Sequence, residues 1–201
     1  MLYLRLLTTA IGIPLLVLVV WLGSYWLLVP LVAMAVVGAW EFHKLVAPVS
    51  ATPPLFFSVA IVLGLIISGQ VEDAYLLIAL GASLLASLAW QTLQEARHKA
   101  VKVQFLGLAG PFYIGVPLAL AVLLRNGVDG RDWLLVAILS TFAIDTGAYA
   151  VGKLIGKHKM APRISPGKSW EGVIGGLLGG VGATFGLTLV VGLPMDTWKA
   201  L

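Results

Sequence analysis

The sequence predicts an all-α, polytopic integral membrane protein with about seven transmembrane helices and a cytoplasmic N-terminus. Three observations carry that prediction. Only 11% of the 201 residues are charged while 60% are hydrophobic, and the mean hydropathy is +1.00. A soluble domain carries about 25% charged residues, so thirteen basic and nine acidic side chains cannot wet a globule of this size. The few charges are gathered between long uncharged stretches, and the basic ones fall unevenly between alternate loops. The absence of cysteine excludes disulfide scaffolds, zinc fingers and thiol enzymes, and the apolar content excludes disorder.

A spanning helix needs about 20 mostly apolar residues to cross a hydrocarbon core of about 30 Å. Between Arg5 and Glu41 lie 35 uncharged residues, which as one helix would run about 52 Å at 1.5 Å per residue. Two helices hinged at Gly23-Ser24, near 6–22 and 25–40, fit better. Further uncharged stretches are Leu45–Val71, Ala74–Gln94, Val103–Leu124 and Gly172–Met195, and Trp133–Gly152 is broken only by Asp145. Pro14, Pro30, Pro111 and Pro117 fall inside these stretches and predict kinks. The chain divides into 1–102, with about four spans, and 103–201, whose spans flank a basic loop at 153–171. The alternating ten-residue pattern of an outer-membrane barrel is missing. The N-terminal apolar run is too long for a cleavable signal peptide.

Orientation follows from basic residues in short loops. With the N-terminus inside, Arg5, Lys44, Arg97, Lys99, Lys102, Lys153, Lys157, Lys159, Arg163 and Lys168 are cytoplasmic, and Arg125, Arg131 and Lys199 are outside. Trp21, Trp26, Trp40, Trp90, Trp133 and Trp170 fall near span ends, where amphipathic rings settle. Positive loops this short and this close to a bilayer suit anionic lipid and not nucleic acid.

The region from Trp133 to Gly186 departs from apolar filler. Asp145 sits inside a span, where a carboxylate costs roughly 2.5–3.5 kcal/mol on insertion scales. It either pairs with a lysine of another helix or faces a metal or substrate. Tyr149 and Gly152 follow at i+4 and i+7 on the same helix face, and Thr146 is placed for a local hydrogen bond. The next loop carries five cations, His158 and two serines between Lys153 and Gly172. That composition suits a polyphosphate: lysines give point charge, Arg163 a bidentate fork and the hydroxyls donors. Ser165 before Pro166 reads as an N-cap with proline at the first helical position, which would turn free N–H groups toward an anion. The bland alternative is a basic loop that only sets topology. Gly167-Lys168-Ser169 is not a P-loop, because Pro162 stands where the motif needs glycine. Glycines at 172, 175, 176, 179, 180, 182 and 186, many of them four apart, predict close helix packing or dimerisation.

Asp145-Thr-Gly-Ala-Tyr149, Gly152, Gly156-Lys-His-Lys159 and Ile164-Ser-Pro-Gly-Lys-Ser-Trp-Glu-Gly172 together resemble the phosphatidate cytidylyltransferase (CDP-diacylglycerol synthase) family. That family's Ser-Pro-x-Lys-Thr-Trp-Glu-Gly element is matched here with Ser169 in place of threonine, and Trp40-Glu-Phe42 is similar to its Trp-Glu-aromatic element. The resemblance implies a bacterial inner-membrane nucleotidyltransferase, dimeric and dependent on Mg²⁺. Its reaction would be CTP plus phosphatidic acid giving CDP-diacylglycerol and pyrophosphate. It further implies Lys168 and Asp145 as catalytic residues, with Asp145 toward the metal. Ser165 and Ser169 would meet a substrate phosphate, and Lys157, Lys159 and Arg163 would attract CTP. The family's C-terminal region, with a Gly-Asp element, a Lys-Asp element and a His-Gly-Gly followed by Asp-Arg, has no counterpart before Leu201. The stretch therefore corresponds to the front two-thirds of such an enzyme. A related CTP-dependent polyprenol kinase, and a truncated, inactive homologue that binds lipid or partner subunits, are the alternative readings.

Overall fold

The computed structural model describes residues 2–46, 54–71, 73–94 and 101–193. They form α1 (Leu2–Leu22), α2 (Ser24–Val46), α3 (Leu55–Ser68), α4 (Asp73–Gln94), α5 (Val101–Asn126), α6 (Gly130–Ile155) and α7 (Trp170–Val191), with two short strands, β1 (Lys159–Ala161) and β2 (Ser165–Ser169), between the last two helices. The expected all-α membrane architecture holds, and each uncharged stretch contains a helix. Four helices carry spans long and apolar enough to cross a membrane: Tyr25–Val46, Ala109–Asn126, Gly130–Ile155 and Trp170–Val191. The apolar parts Ala10–Leu22, Leu55–Ser68 and Ala74–Trp90 are shorter. At fourteen residues, α3 runs only about 21 Å, less than the span expected across 45–71. The region 95–100, with Arg97 and Lys99, and the region 194–201, with Lys199, lie outside the described residues, as do the side chains of Arg5 and Lys102.

The chain divides into two compact units, Met1–Val128 and Asp129–Leu201. This moves α5 to the N-terminal side of the division expected after residue 102. The reason is packing. One core cluster of the first unit joins Ala35, Val62, Ile66 and Val122, and another joins Ile61, Leu65, Leu76 and Ala119, so α5 shares its buried face with α2 and α3. Gly115 permits the approach, since a Cβ there would stand 2.8 Å from Leu65 Cδ1 and 3.3 Å from Val62 Cα. The hinge between α1 and α2 is Gly23 alone, at φ +61°, in the left-handed region that glycine enters without cost. Arg125 Nε donates to the Val20 carbonyl at 3.0 Å, taking up an acceptor that the end of α1 leaves unpaired. Pro14, Pro30, Pro111 and Pro117 all lie within continuous helices.

The second unit is an antiparallel helix pair closed at one end by a β-hairpin. Glycine makes the pair tight. A Cβ on Gly172 would meet the Ala148 carbonyl oxygen at 2.9 Å, one on Gly176 the Ile144 oxygen at 3.1 Å, and one on Gly179 the Ala143 oxygen at 2.9 Å. Backbone therefore faces backbone along the seam, which Thr184 extends by donating to Ser140 Oγ at 2.8 Å. The glycine stripe is used within the chain as far as Gly180, whereas Gly182 and Gly186 face open space. At its far end α7 stops in a Schellman motif. Gly192, at φ +73°, donates to the Leu189 carbonyl and Leu193 to the Thr188 carbonyl.

Candidate active site at the α6–α7 hairpin

The hairpin starts where α6 ends at Gly156. In it β1 and β2 pair antiparallel, with Lys159 opposite Ser169 and Ala161 opposite Ser165 and an irregular register between. At the tip, Ile164 N–H donates to the Ala161 carbonyl at 3.1 Å, closing a turn with Pro162 at the position its fixed φ favours. Residues 165–169 are thus a strand, and the helix expected to start at Ser165-Pro166 starts at Trp170 instead. Both readings place Ser165 in the extended region required of a residue before proline. What decides is Gly167, which weakens a helix at its second position, and the partner strand.

The cap lies four residues further on. Ser169, at φ −131°, accepts Gly172 N–H on its Oγ at 3.2 Å, and the residue is only 3% exposed. Its hydroxyl sits in a recess made by glycines, with a Cβ on Gly152 falling 3.2 Å from Oγ. Ser169 therefore serves the chain's own backbone. Ser165 is half-buried, and Lys157, Lys159, Arg163 and Lys168 are exposed.

Two residues to which the sequence reading assigned no role of their own hold the hairpin's base. Glu171, in the first turn of α7, accepts His158 N–H at 3.1 and 3.2 Å on its two oxygens, and His158 Nδ1 lies 2.6 Å from Oε1. Trp170 N–H donates to the His158 carbonyl at 3.0 Å. These bonds tie the chain leaving α6 to the start of α7. They also engage the one acid in the 153–171 loop. An acid in the first turn after a serine cap is a known helix-start signal, but its partner thirteen residues back has no local signature.

On α6, Asp145 and Tyr149 are exposed within the unit, and Lys153 Nζ lies 3.4 Å from the Tyr149 hydroxyl. Thr146 makes the local bond expected of it, to the Phe142 carbonyl at 2.7 Å. Gly152 turns toward α7 instead, against Gly172. Asp145 is ten residues from the end of α6, about 15 Å along the axis. Among the described residues no ion pair engages Asp145, Lys157, Lys159, Arg163 or Lys168. Among them, too, no group of three histidine or acidic side chains is placed to hold a metal. Mg²⁺ takes oxygen ligands in octahedral geometry, and the lone Asp145 carboxylate does not make such a site.

Fold and site together define a multi-pass membrane protein with an unpaired cationic hairpin at the joined ends of two spanning helices. The chain belongs to the Cytidylyltransferase family, whose sequence profile matches residues 3–201. It is 32% identical over 169 residues to the phosphatidate cytidylyltransferase of Haemophilus influenzae, covering 73% of this chain and 58% of that protein. It is 33% identical over 114 residues to the phosphatidate cytidylyltransferase of Staphylococcus haemolyticus, covering 57% and 43%. With the enzyme of that name from Mycobacterium tuberculosis it shares 50% identity over 56 residues, covering 28% and 17%. The chain thus spans less than two thirds of the length of the curated relatives it matches.

Proposed function

We propose that this chain is the membrane-embedded, phosphate-gathering part of a phosphatidate cytidylyltransferase of the bacterial inner membrane. The phosphatidate phosphate would attack the α-phosphorus of CTP, forming CDP-diacylglycerol as the bond to the departing pyrophosphate breaks. The observation that carries the reading is the hairpin. Four cations with no ion pair among the described residues stand on a β-hairpin at the end of two spans, where a lipid phosphate and a soluble triphosphate can meet. Converging negative charge on the two substrates is the main barrier to such a transfer, and fixed cations lower it. Lys168, exposed next to the buried Ser169, is the cation whose position the α7 cap fixes best. Lys157, Lys159 and Arg163 attract the nucleotide, and Ser165 supplies a hydroxyl beside them. The chemistry calls for a divalent cation, to which Asp145 would supply one oxygen ligand at most. Oxygens of the substrate phosphates would supply others. Gly182 and Gly186, open on α7, offer a seam for a second copy.

The test is an assay of the chain in detergent or vesicles with CTP, phosphatidate and Mg²⁺. Lys168→Ala should cost far more turnover than Lys99→Ala. Equal losses would reduce the hairpin to a topology signal. Phosphorylation of a polyprenol in place of CDP-diacylglycerol formation would transfer the site to a lipid kinase.

A further inference from the structure

The hairpin carries a second feature that nucleotide binding does not use. Its tip carries an apolar side chain: Ile164, in the turn, is 90% exposed, and Met160, on β1, is also exposed. Leu154, Ile155 and Trp170 are exposed at the adjoining helix ends. Isoleucine presented to water at a turn gains nothing for the fold, because the turn is closed by its backbone bond to Ala161 and by Pro162. Arg163 precedes it in the turn, and Lys157, Lys159 and Lys168 lie along the rest of the hairpin, exposed, while the loop's one acid is held by His158. An exposed apolar turn on a cationic hairpin is the composition that seats protein at an anionic bilayer surface. The bilayer is at hand, since both arms of the hairpin continue into spanning helices.

We propose that the hairpin tip is a membrane-surface contact. Ile164 and Met160 enter the headgroup level of the leaflet at which α6 ends and α7 begins, and Arg163 with the neighbouring lysines meets the phosphates of anionic lipids. The contact would hold the cationic strand at the depth of lipid phosphates. It stands whether or not the same cations also draw a nucleotide.

The chain has no cysteine, so Ile164→Cys and Gly167→Cys each accept one nitroxide label. Gly167 faces open space on the second strand and serves as the reference. In vesicles rich in phosphatidylglycerol, the label at 164 should be relaxed severalfold more by lipid-soluble oxygen than by a water-soluble nickel chelate, relative to the label at 167. In phosphatidylcholine alone, or at high salt, that preference should fall. Met160→Cys, labelled in the same way, should follow 164. The proposal is overturned if 164 is as open to the chelate as 167, or if its shielding is the same in both lipids. None of these readings depends on catalytic activity.

Discussion

Ser169 shows how burial decides a residue's duty. Serine in a basic loop beside lysine reads as a phosphate ligand, yet here the hydroxyl is buried and accepts the Gly172 N–H. An N-cap of this kind contributes about 1 kcal/mol against alanine, while glycine at the same position costs only a few tenths. Ser169→Ala should therefore lower the thermal midpoint of the purified protein more than Ser169→Gly does. In a helix interior the order reverses, since glycine is the worse residue there by about 1 kcal/mol. Thermal melts of the two variants in one detergent decide between the roles. Lys168, the exposed neighbour, stays free to meet a ligand, so cap and cation divide the work of adjacent positions. Glu171 makes the same point from the opposite side. Its carboxylate is engaged by the backbone N–H and the ring of His158 and so clasps the hairpin's base.

The α6–α7 pair shows what was legible at the level of elements. Apart from α3, which starts ten residues into the stretch 45–71, charge-free stretches gave the helices to within several residues, as with 133–152 expected against Gly130–Ile155 observed, because hydropathy dominates in a bilayer. The glycine spacing announced close packing but not its partner, and the structure turns Gly172, Gly175, Gly176 and Gly179 onto α6. A Cβ on Gly175 would stand 2.9 Å from the Gly147 carbonyl oxygen, and backbone cannot move aside cheaply. Gly175→Val should destabilise the protein by about 1–3 kcal/mol, the usual cost of overpacking. Gly182→Ala, in open space, should leave stability unchanged or raise it by up to about 1 kcal/mol through helix propensity. Equal thermal midpoints for the two variants would contradict the seam. The hairpin was not legible for a different reason. Its residues lack alternation, Ser165-Pro166 is compatible with strand and helix alike, and the His158–Glu171 clasp joins positions thirteen apart.

Across the whole molecule the distribution of charge carries the functional argument. Its scarcity marked the membrane, and its concentration in one loop marked the site, since five cations lie between Lys153 and Lys168. The same distribution predicts orientation. With 26 residues, α6 is about 39 Å long, enough to place its two ends on opposite faces of a bilayer. Arg131 is then at one face and the hairpin at the other. Basic loops are retained on the cytoplasmic side, so the hairpin should face the cytoplasm, where CTP is available. Val128→Cys, at an exposed position just before α6, should react with an impermeant maleimide added to intact spheroplasts. Gly167→Cys should react only after the spheroplasts are opened. The opposite pattern would put the hairpin outside and sink the nucleotide reading together with the orientation. It would leave the lipid contact of Ile164 standing, because anionic lipid can be met at either face whereas the triphosphate cannot. Labelling thus separates the two roles of the hairpin before any turnover is measured.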